Sequence, residues 1–174
     1  MTTSTERLEA SRLIPAPPAA VFAVLTDPQG HVAIDASGML QDADGDVVEA
    51  VGDRFTVHMD REALGDLPMG RYDVDVVIEQ LAHDRLIAWT VDGTIQPPIG
   101  HVYGYRLEAV EGGTMTTSFY DWSQARADIK ARGIFPVVSA TNLRATLGIL
   151  ERAVRRGYPR GAVLSAPDRS PAAG

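Results

Sequence analysis

The longest amphipathic pattern in the chain spans residues 135–156, near the C-terminal end. Apolar residues recur there at helical spacing, and arginines gather at the end of the segment, just before a glycine and a proline. At about 100° per residue, the apolar residues form two stripes, and a partly polar line between them contains Phe135, Asn142 and Thr146. The pattern predicts one long helix whose most enclosed line is partly polar.

Two interpretations of this polar line are open. In the first, Asn142 and Thr146 bond to nearby backbone or to a buried water, because a buried polar group needs a partner. In the second, the helix closes a hollow and its midline faces a ligand. The helical pattern fits both interpretations.

Before this helix, the chain alternates in period two, which is typical of strands. In residues 71–81, for example, Tyr72 and Val74 share an apolar face, whereas Asp73 and Asp75 point to water. The predicted strands cover residues 6–14, 39–41, 47–51, 54–59, 71–81, 85–92, 101–110 and 115–122. We place Trp89 on the buried face of its strand, because Ile87 shares that face.

The connections carry their own signals. Asp44-Gly45 is typical of a tight hairpin turn between the segments 39–41 and 47–51. The loop 60–70 is unusually apolar, which suggests a lid or a short helix. Two short helices are predicted at 19–25 and 28–34, the second capped by Asp27.

This order of elements indicates an α+β domain, in which the long helix lies against one face of a curved antiparallel sheet of about seven strands. The two short helices follow the first strand. We assign residues 1–157 to this domain. Residues 158–174 are rich in Pro, Ala, Ser and Gly, and we predict a disordered tail.

Composition narrows the function. The chain has 174 residues and a formal net charge of −7, which argues against binding nucleic acid. There are no cysteines, and no two of the four histidines have the spacing of a zinc pair, so we predict no metal and no cofactor. The chain contains no secretion signal and no apolar run long enough to insert into a membrane, so we expect a cytoplasmic protein.

Several short segments, in this order, are similar to a known family. They are 14–18 (IPAPP) with VF at 21–22, 27–28 (DP), 35–38 (DASG), 87–89 (IAW), 100–103 (GHVY) and 120–123 (YDWS). The chain resembles the START-like, or Bet v 1-like, SRPBCC superfamily, and in particular its bacterial polyketide cyclase/dehydrase-like branch, over about residues 5–157.

The resemblance implies a helix-grip fold, in which a curved sheet wraps around the long C-terminal helix and leaves a cavity. It implies binding of a small hydrophobic or amphipathic molecule, such as a lipid, a polyketide or an aromatic metabolite. Some members are cyclases or aromatases, but the family has no universal catalytic motif, so the resemblance implies no catalytic residue.

The sequence does not decide which face of the last strand points inward, because both of its faces carry apolar and polar residues. Met115, Phe119 and Asp121 share one face, and Ser118 and Tyr120 share the other. We favour the first set as inward, because Met115 and Phe119 are less amphipathic than their neighbours. Asp121 would then point into the hollow as a candidate acid or base, whereas the alternative is an exposed residue or a cap of the next loop.

His31 and Asp35 lie one helical turn apart, close to where the mouth of a helix-grip cavity falls. The alternative is a solvated surface pair, which we consider the better interpretation.

We therefore predict that the protein binds a small hydrophobic or amphipathic ligand. The alternative is a cyclase, aromatase or dehydratase that uses an acid or base in the same cavity. A third possibility is a protein-interaction module whose cavity is filled with side chains. The predicted ligand-binding residues are Met59, Trp89, Tyr103, Tyr105, Phe119, Asp121, Phe135, Asn142 and Thr146.

Overall fold

The computed structural model describes residues 5–158. Seven antiparallel strands form one curved sheet in the order β1-β7-β6-β5-β4-β3-β2. The strands are β1 (Arg7–Ile14), β2 (Leu40–Asp44), β3 (Arg54–Asp60), β4 (Arg71–Ala82), β5 (Leu86–Asp92), β6 (Val102–Val110) and β7 (Gly113–Asp121). The sheet is a meander in which only β1 is displaced, because it pairs with the last strand. The predicted strand count and strand-then-helix order are confirmed.

Four helices complete the described part of the chain: α1 (Pro18–Leu25), α2 (Pro28–Ile34), α3 (Ala127–Lys130) and α4 (Ala140–Arg155). The predicted cap of α2 is confirmed, since the side chain of Asp27 accepts a hydrogen bond from the backbone N–H of Gln29 at 3.0 Å. None of the helices in residues 5–158 is long and apolar enough to cross a membrane.

Helix α4 begins later than predicted. Its N-cap is Ser139, whose hydroxyl accepts a hydrogen bond from the backbone N–H of Asn142 at 3.0 Å. The preceding residues, including Phe135 and Pro136, form an irregular segment. The hydrophobic pattern continued across this segment because Val138 packs on the core without being helical. The Ser139 cap therefore determines where α4 begins, whereas the spacing of apolar residues extends beyond the helix.

Helix α4 packs mainly on β1 and β7, at one side of the concave face. Leu143, Leu147 and Leu150 anchor it in the core. Helices α1 and α2 also pack on α4. Because the helix contacts chiefly one side of the sheet, space remains between it and the concave face of β3 to β6.

The predicted strand at residues 47–51 is wrong. Strand β2 pairs with β3 instead, with Ala43 opposite Val57. The segment 47–51 is a loop in which Val48 is buried and its N–H donates to the carbonyl of Thr26 at 2.9 Å. Its apolar character therefore comes from docking against the end of α1, not from a position in the sheet.

Tyr158, which the sequence assigned to the tail, packs on the core. Its hydroxyl donates to the carboxylate of Asp27 at 3.1 Å. The folded body therefore includes Tyr158. The rest of the predicted tail, residues 159–174, lies outside the described residues.

Candidate functional site

A cavity of about 640 Å³ lies between α4 and the concave face of the sheet. This volume is within the range of small-molecule sites, roughly 300–1,000 Å³. The wall consists of His31, Ile34, Asp35, Ser37, Met39, Leu40, Val57, Met59, Arg61, Leu64, Asp66, Val74, Val76, Trp89, Tyr103, Gly104, Tyr105, Ser118, Phe119, Pro136, Val137, Val138, Ser139, Asn142, Leu143 and Thr146. Most of these side chains are apolar or aromatic, with a few polar groups among them.

Three aromatic side chains, Trp89, Tyr103 and Tyr105, form what we call the aromatic floor. Strand pairing places Trp89 of β5 opposite Tyr103 of β6, and alternation brings Tyr105 to the same face. The plane of Trp89 is within 15° of that of Tyr103 and within 28° of that of Tyr105, with ring centroids 6.1 and 6.0 Å away. Burial raises the pKa of Tyr105 to about 12, so its hydroxyl keeps its proton at neutral pH.

His31 stands beside this floor. Its ring is 4.7 Å from that of Trp89 and 4.9 Å from that of Phe55, in edge-on contacts, and its Nε2 lies 2.8 Å from the carbonyl oxygen of Leu25. Burial lowers the pKa of His31 to about 4, so the ring is neutral at physiological pH. The interpretation of His31 as a solvated surface residue is therefore wrong, because the residue is only 7% exposed.

Asp35 also belongs to the cavity wall, but its carboxylate serves the local backbone. One oxygen accepts hydrogen bonds from the N–H and the hydroxyl of Ser37, at 2.9 and 2.7 Å, and the other accepts from the N–H of Leu40 at 3.1 Å. Asp35 therefore shapes the turn that follows α2, and its carboxylate makes no hydrogen bond to His31.

Asn142 and Thr146 form part of the cavity wall on the α4 side. Neither side chain has a hydrogen-bond partner among residues 5–158, and neither is sealed from solvent-sized space. The one fully shielded side-chain polar atom without a partner in these residues is Oγ1 of Thr116, elsewhere in the fold. The helix thus presents two polar groups toward the hollow, which favours the second interpretation of its polar midline.

The loop between β3 and β4 contributes Arg61, Leu64 and Asp66 to the cavity wall. It contains a single 3-10 turn, Glu62–Leu64, rather than a longer helix. Arg61 donates to both carboxylate oxygens of Asp66, from Nε at 2.9 Å and from Nη2 at 3.0 Å. This pair raises the pKa of Arg61 and lowers that of Asp66, so the charge of the guanidinium is already compensated within the loop.

The facing favoured for the last strand is wrong. Phe119 belongs to the cavity wall, but its ring lies across Gly104 and beneath the guanidinium of Arg7, 4.3 Å from the ring centroid. Ser118 and Tyr120 take the inward positions and are fully buried. The cause is that arginine side chains cover the apolar ring on the outer face, so apolarity did not mark the inner face.

Asp121 consequently lies on the outer face and outside the cavity wall, where Nη1 of Arg7 donates to it at 3.0 Å. Partial burial would raise the pKa of Asp121, but hydrogen bonds from Ser123 and the guanidinium of Arg7 hold it below its ordinary value. The expectation of an enclosed acid or base at this position is corrected. The alternative fits, since Asp121 caps the next loop through the N–H of Ser123 at 2.9 Å.

Phe135 does not form part of the wall either, although its neighbour Pro136 does. Its ring stacks on Trp122, with centroids 6.2 Å apart and planes 11° apart. It belongs to a second aromatic cluster beyond Tyr103, built around Tyr120 and Trp122. The irregular segment before α4 directs Phe135 to this cluster and away from the cavity.

The second cluster contains a polar pair that sequence reasoning missed. Nδ1 of His101 lies 2.8 Å from the hydroxyl of Tyr120, and both residues are buried. Burial lowers the pKa of His101 to about 4. The motifs at 100–103 and 120–123 were the available signal, since strand pairing sets Tyr103 opposite Tyr120.

The structure therefore brings together seven of the nine predicted ligand-binding residues in one cavity wall, with the Phe119 ring turned away. The seven are Met59, Trp89, Tyr103, Tyr105, Phe119, Asn142 and Thr146. That any of them contacts a ligand stays a prediction.

The sequence matches no protein-family model and no curated protein. Solved structures do match. A protein of Rhodobacter sphaeroides is similar with a TM-score of 0.64 and 17% identity, over 90% of this chain and 96% of that one. The Aha1 dimer of Colwellia psychrerythraea gives 0.58 and 19%, over 87% and 98%. The AHSA1-like protein of Aeromonas hydrophila gives 0.54 and 16%, over 86% and 92%.

AHSA1-like and Aha1 proteins belong to the SRPBCC, or Bet v 1-like, superfamily. The similarity at this level of identity concerns the fold, and it confirms the helix-grip architecture predicted from the sequence. The polyketide cyclase/dehydrase-like branch stays a prediction.

Proposed function

We propose that the protein binds a small, largely apolar molecule in the cavity between α4 and the sheet. The observation that carries the proposal is the cavity itself, about 640 Å³ with a mostly apolar wall. An interaction module with a filled core would leave no such volume. Ligand sites combine an apolar wall with a few hydrogen-bonding groups, and Asn142 and Thr146 supply such groups here.

The alternative, a cyclase, aromatase or dehydratase, has less support. Asp121, the acid or base favoured from the sequence, lies on the outer face. An efficient general acid or base has a pKa near the working pH. Burial moves the pKa of His31 to about 4 and that of Tyr105 to about 12, which places both side chains far from neutrality. Binding without turnover is therefore the function we favour.

A neutral fluorescent dye without a hydrogen-bond donor, 6-propionyl-2-(dimethylamino)naphthalene, tests the proposal. We expect saturable binding with a stoichiometry near one, as a single cavity requires. Asn142→Leu should leave the fold intact, or make it more stable, because it removes a polar group without a protein partner. It should change the dye affinity by at least about threefold, which corresponds to at least about 0.6 kcal/mol.

Thr141→Leu is the matched control, since Thr141 is the exposed neighbour of Asn142 on α4. It should leave the affinity unchanged. Strong destabilisation by Asn142→Leu with unchanged binding would instead make Asn142 a structural group. Mass spectrometry of any small molecule that copurifies with the protein would identify the natural ligand directly.

A further inference from the structure

The hydrogen bonding of His31 fixes its tautomer. A carbonyl oxygen only accepts, so the contact between Nε2 and the carbonyl of Leu25 at 2.8 Å requires the proton on Nε2. The neutral ring has one proton, so its other nitrogen, Nδ1, carries a lone pair and can only accept a hydrogen bond.

Nδ1 of His31 has no donor in the described part of the chain. It is also not among the fully shielded atoms, since in residues 5–158 only Oγ1 of Thr116 is both sealed and unpartnered. His31 itself belongs to the cavity wall. Nδ1 therefore keeps some accessible surface, in a side chain that lines the cavity and is only 7% exposed.

The position of this lone pair relative to the aromatic floor defines what could reach it. The ring of His31 is 4.7 Å from that of Trp89, with 67° between the planes. A flat ring lying on the floor would stack on Trp89, because aromatic pairs favour offset stacking. A substituent at the edge of that ring would then lie beside His31.

The charges of the wall favour a neutral donor over an anion at this place. The lone pair of Nδ1 repels a carboxylate. Among the described wall residues, Arg61 is the one permanent cation, and Asp66 already holds it in a two-point ion pair. The remaining carboxylate of the wall, that of Asp35, adds negative charge.

We propose that His31 selects a ligand that carries a hydroxyl group on an aromatic ring, which donates to Nδ1. This inference rests on the proposed binding function and adds the chemical class of the ligand. It makes His31, rather than Asn142 alone, the residue that discriminates between ligands of equal shape.

Four probes of one ring system test it: naphthalene, 2-naphthol, 2-methoxynaphthalene and 2-naphthoate. Their affinities are measured by displacement of the neutral dye. We expect 2-naphthol to bind about tenfold more tightly than the other three, because only it donates a hydrogen bond as a neutral molecule. Equal binding of 2-naphthol and 2-methoxynaphthalene would overturn the inference. If neither the dye nor naphthalene binds, the proposed binding function itself fails.

The variant His31→Phe tests whether His31 is the acceptor that causes the preference for 2-naphthol. It keeps an aromatic ring but removes the acceptor, so the preference for 2-naphthol should disappear while naphthalene still binds. His58→Phe is the matched control, because His58 lies on the outer face and outside the cavity wall. It should keep the full preference. A folded His31→Phe protein that also keeps it would assign the hydroxyl to another acceptor and overturn the proposal.

A measurement on the unmodified protein covers the case in which His31→Phe does not fold. The ¹⁵N signal of Nδ1 reports whether its lone pair accepts a hydrogen bond. We expect 2-naphthol to shift the signal of His31, and 2-methoxynaphthalene to leave it in place. An unshifted signal at saturating 2-naphthol would contradict the assignment.

Discussion

The outer face of the sheet and the cavity between sheet and helices differ in how their polar residues are paired. On the outer face, strand register sets opposite charges side by side. Arg106 donates to Glu9 at 3.1 Å, and His58 lies between the carboxylates of Asp44 and Asp73, at 2.6 and 2.7 Å. Each of these outer groups already has a partner within the protein.

In the cavity wall, several polar groups that the helices contribute lack such partners. His31, Asn142 and Thr146 line the cavity, and neither Nδ1 of His31 nor the side chains of the other two have a hydrogen-bond partner in residues 5–158. A buried polar group is costly unless something satisfies it. The difference indicates which polar groups of the protein are available for hydrogen bonds to a ligand. Polar residues of the outer face stabilise the fold, whereas those of the cavity wall are the candidates for recognition.

The largest expected effect tests whether the aromatic floor belongs to the packed interior. Trp89→Ala removes the ring that contacts His31, Tyr103 and Tyr105. We expect a loss of about 3 kcal/mol in the free energy of unfolding, the lower end of the range for a large aromatic, because Trp89 is only partly buried beside the cavity. Thr117→Ala, on the outer face, is the control and should cost less than about 1 kcal/mol. Denaturant unfolding measures both, and a Trp89→Ala loss as small as the control would place the ring outside the core.

A second expected effect uses the neutral state of His31. Its pKa is about 4 in the folded protein and 6.5 ordinarily, so between these values the unfolded chain binds the extra proton. The stability that neutral His31 contributes is present above about pH 6.5 and is lost as the pH falls toward 4. The shift corresponds to roughly 3 kcal/mol at most.

The measurement is the difference in unfolding free energy between the wild type and His31→Gln, taken across this pH range. Because carboxylates and the second buried histidine, His101, titrate in both proteins, their contributions cancel. We expect the wild type to lose its advantage on acidification. Parallel pH profiles would mean that His31 titrates normally and is open to water.

Much of the fold could be predicted because the spacing of the apolar residues and the positions of the charged residues indicated the same elements. In β3 and β4, apolar residues alternate with polar or charged ones, and in β5 Trp89 shares the face of Ile87; the structure places Trp89 in the cavity wall. The cap at Asp27 is a local hydrogen bond and could be recognised from its own sequence. The strand pattern and the helical midline therefore predicted seven residues of the cavity wall, whereas its other residues were not identified from the sequence.

The wrong predictions arose where contacts with distant parts of the chain set the orientation or burial of a side chain. Phe119 is apolar yet faces outward, because Gly104 opposite leaves room for the ring and Arg7 covers it. An alanine at Gly104 would place its Cβ 2.4 Å from the ring and 2.7 Å from the carbonyl oxygen of Ile87. His31 was misjudged for a similar reason, since its burial depends on Phe55 and Trp89 from distant strands. No local period encodes such contacts.

The smallest expected effect concerns His58, the outer-face counterpart of His31. Hydrogen bonds to Asp44 and Asp73 raise its pKa to about 9, the opposite direction from His31. Its contribution to stability is therefore present below about pH 6.5 and is lost as the pH rises through 9. Thermal unfolding of the wild type and His58→Gln should differ slightly at about pH 6, because exposed ion pairs contribute little, and should converge above about pH 10. If the difference grew on the alkaline side, the ring would not be held as a cation between the two carboxylates, and the view that the outer face satisfies its own charges would fail at its clearest site.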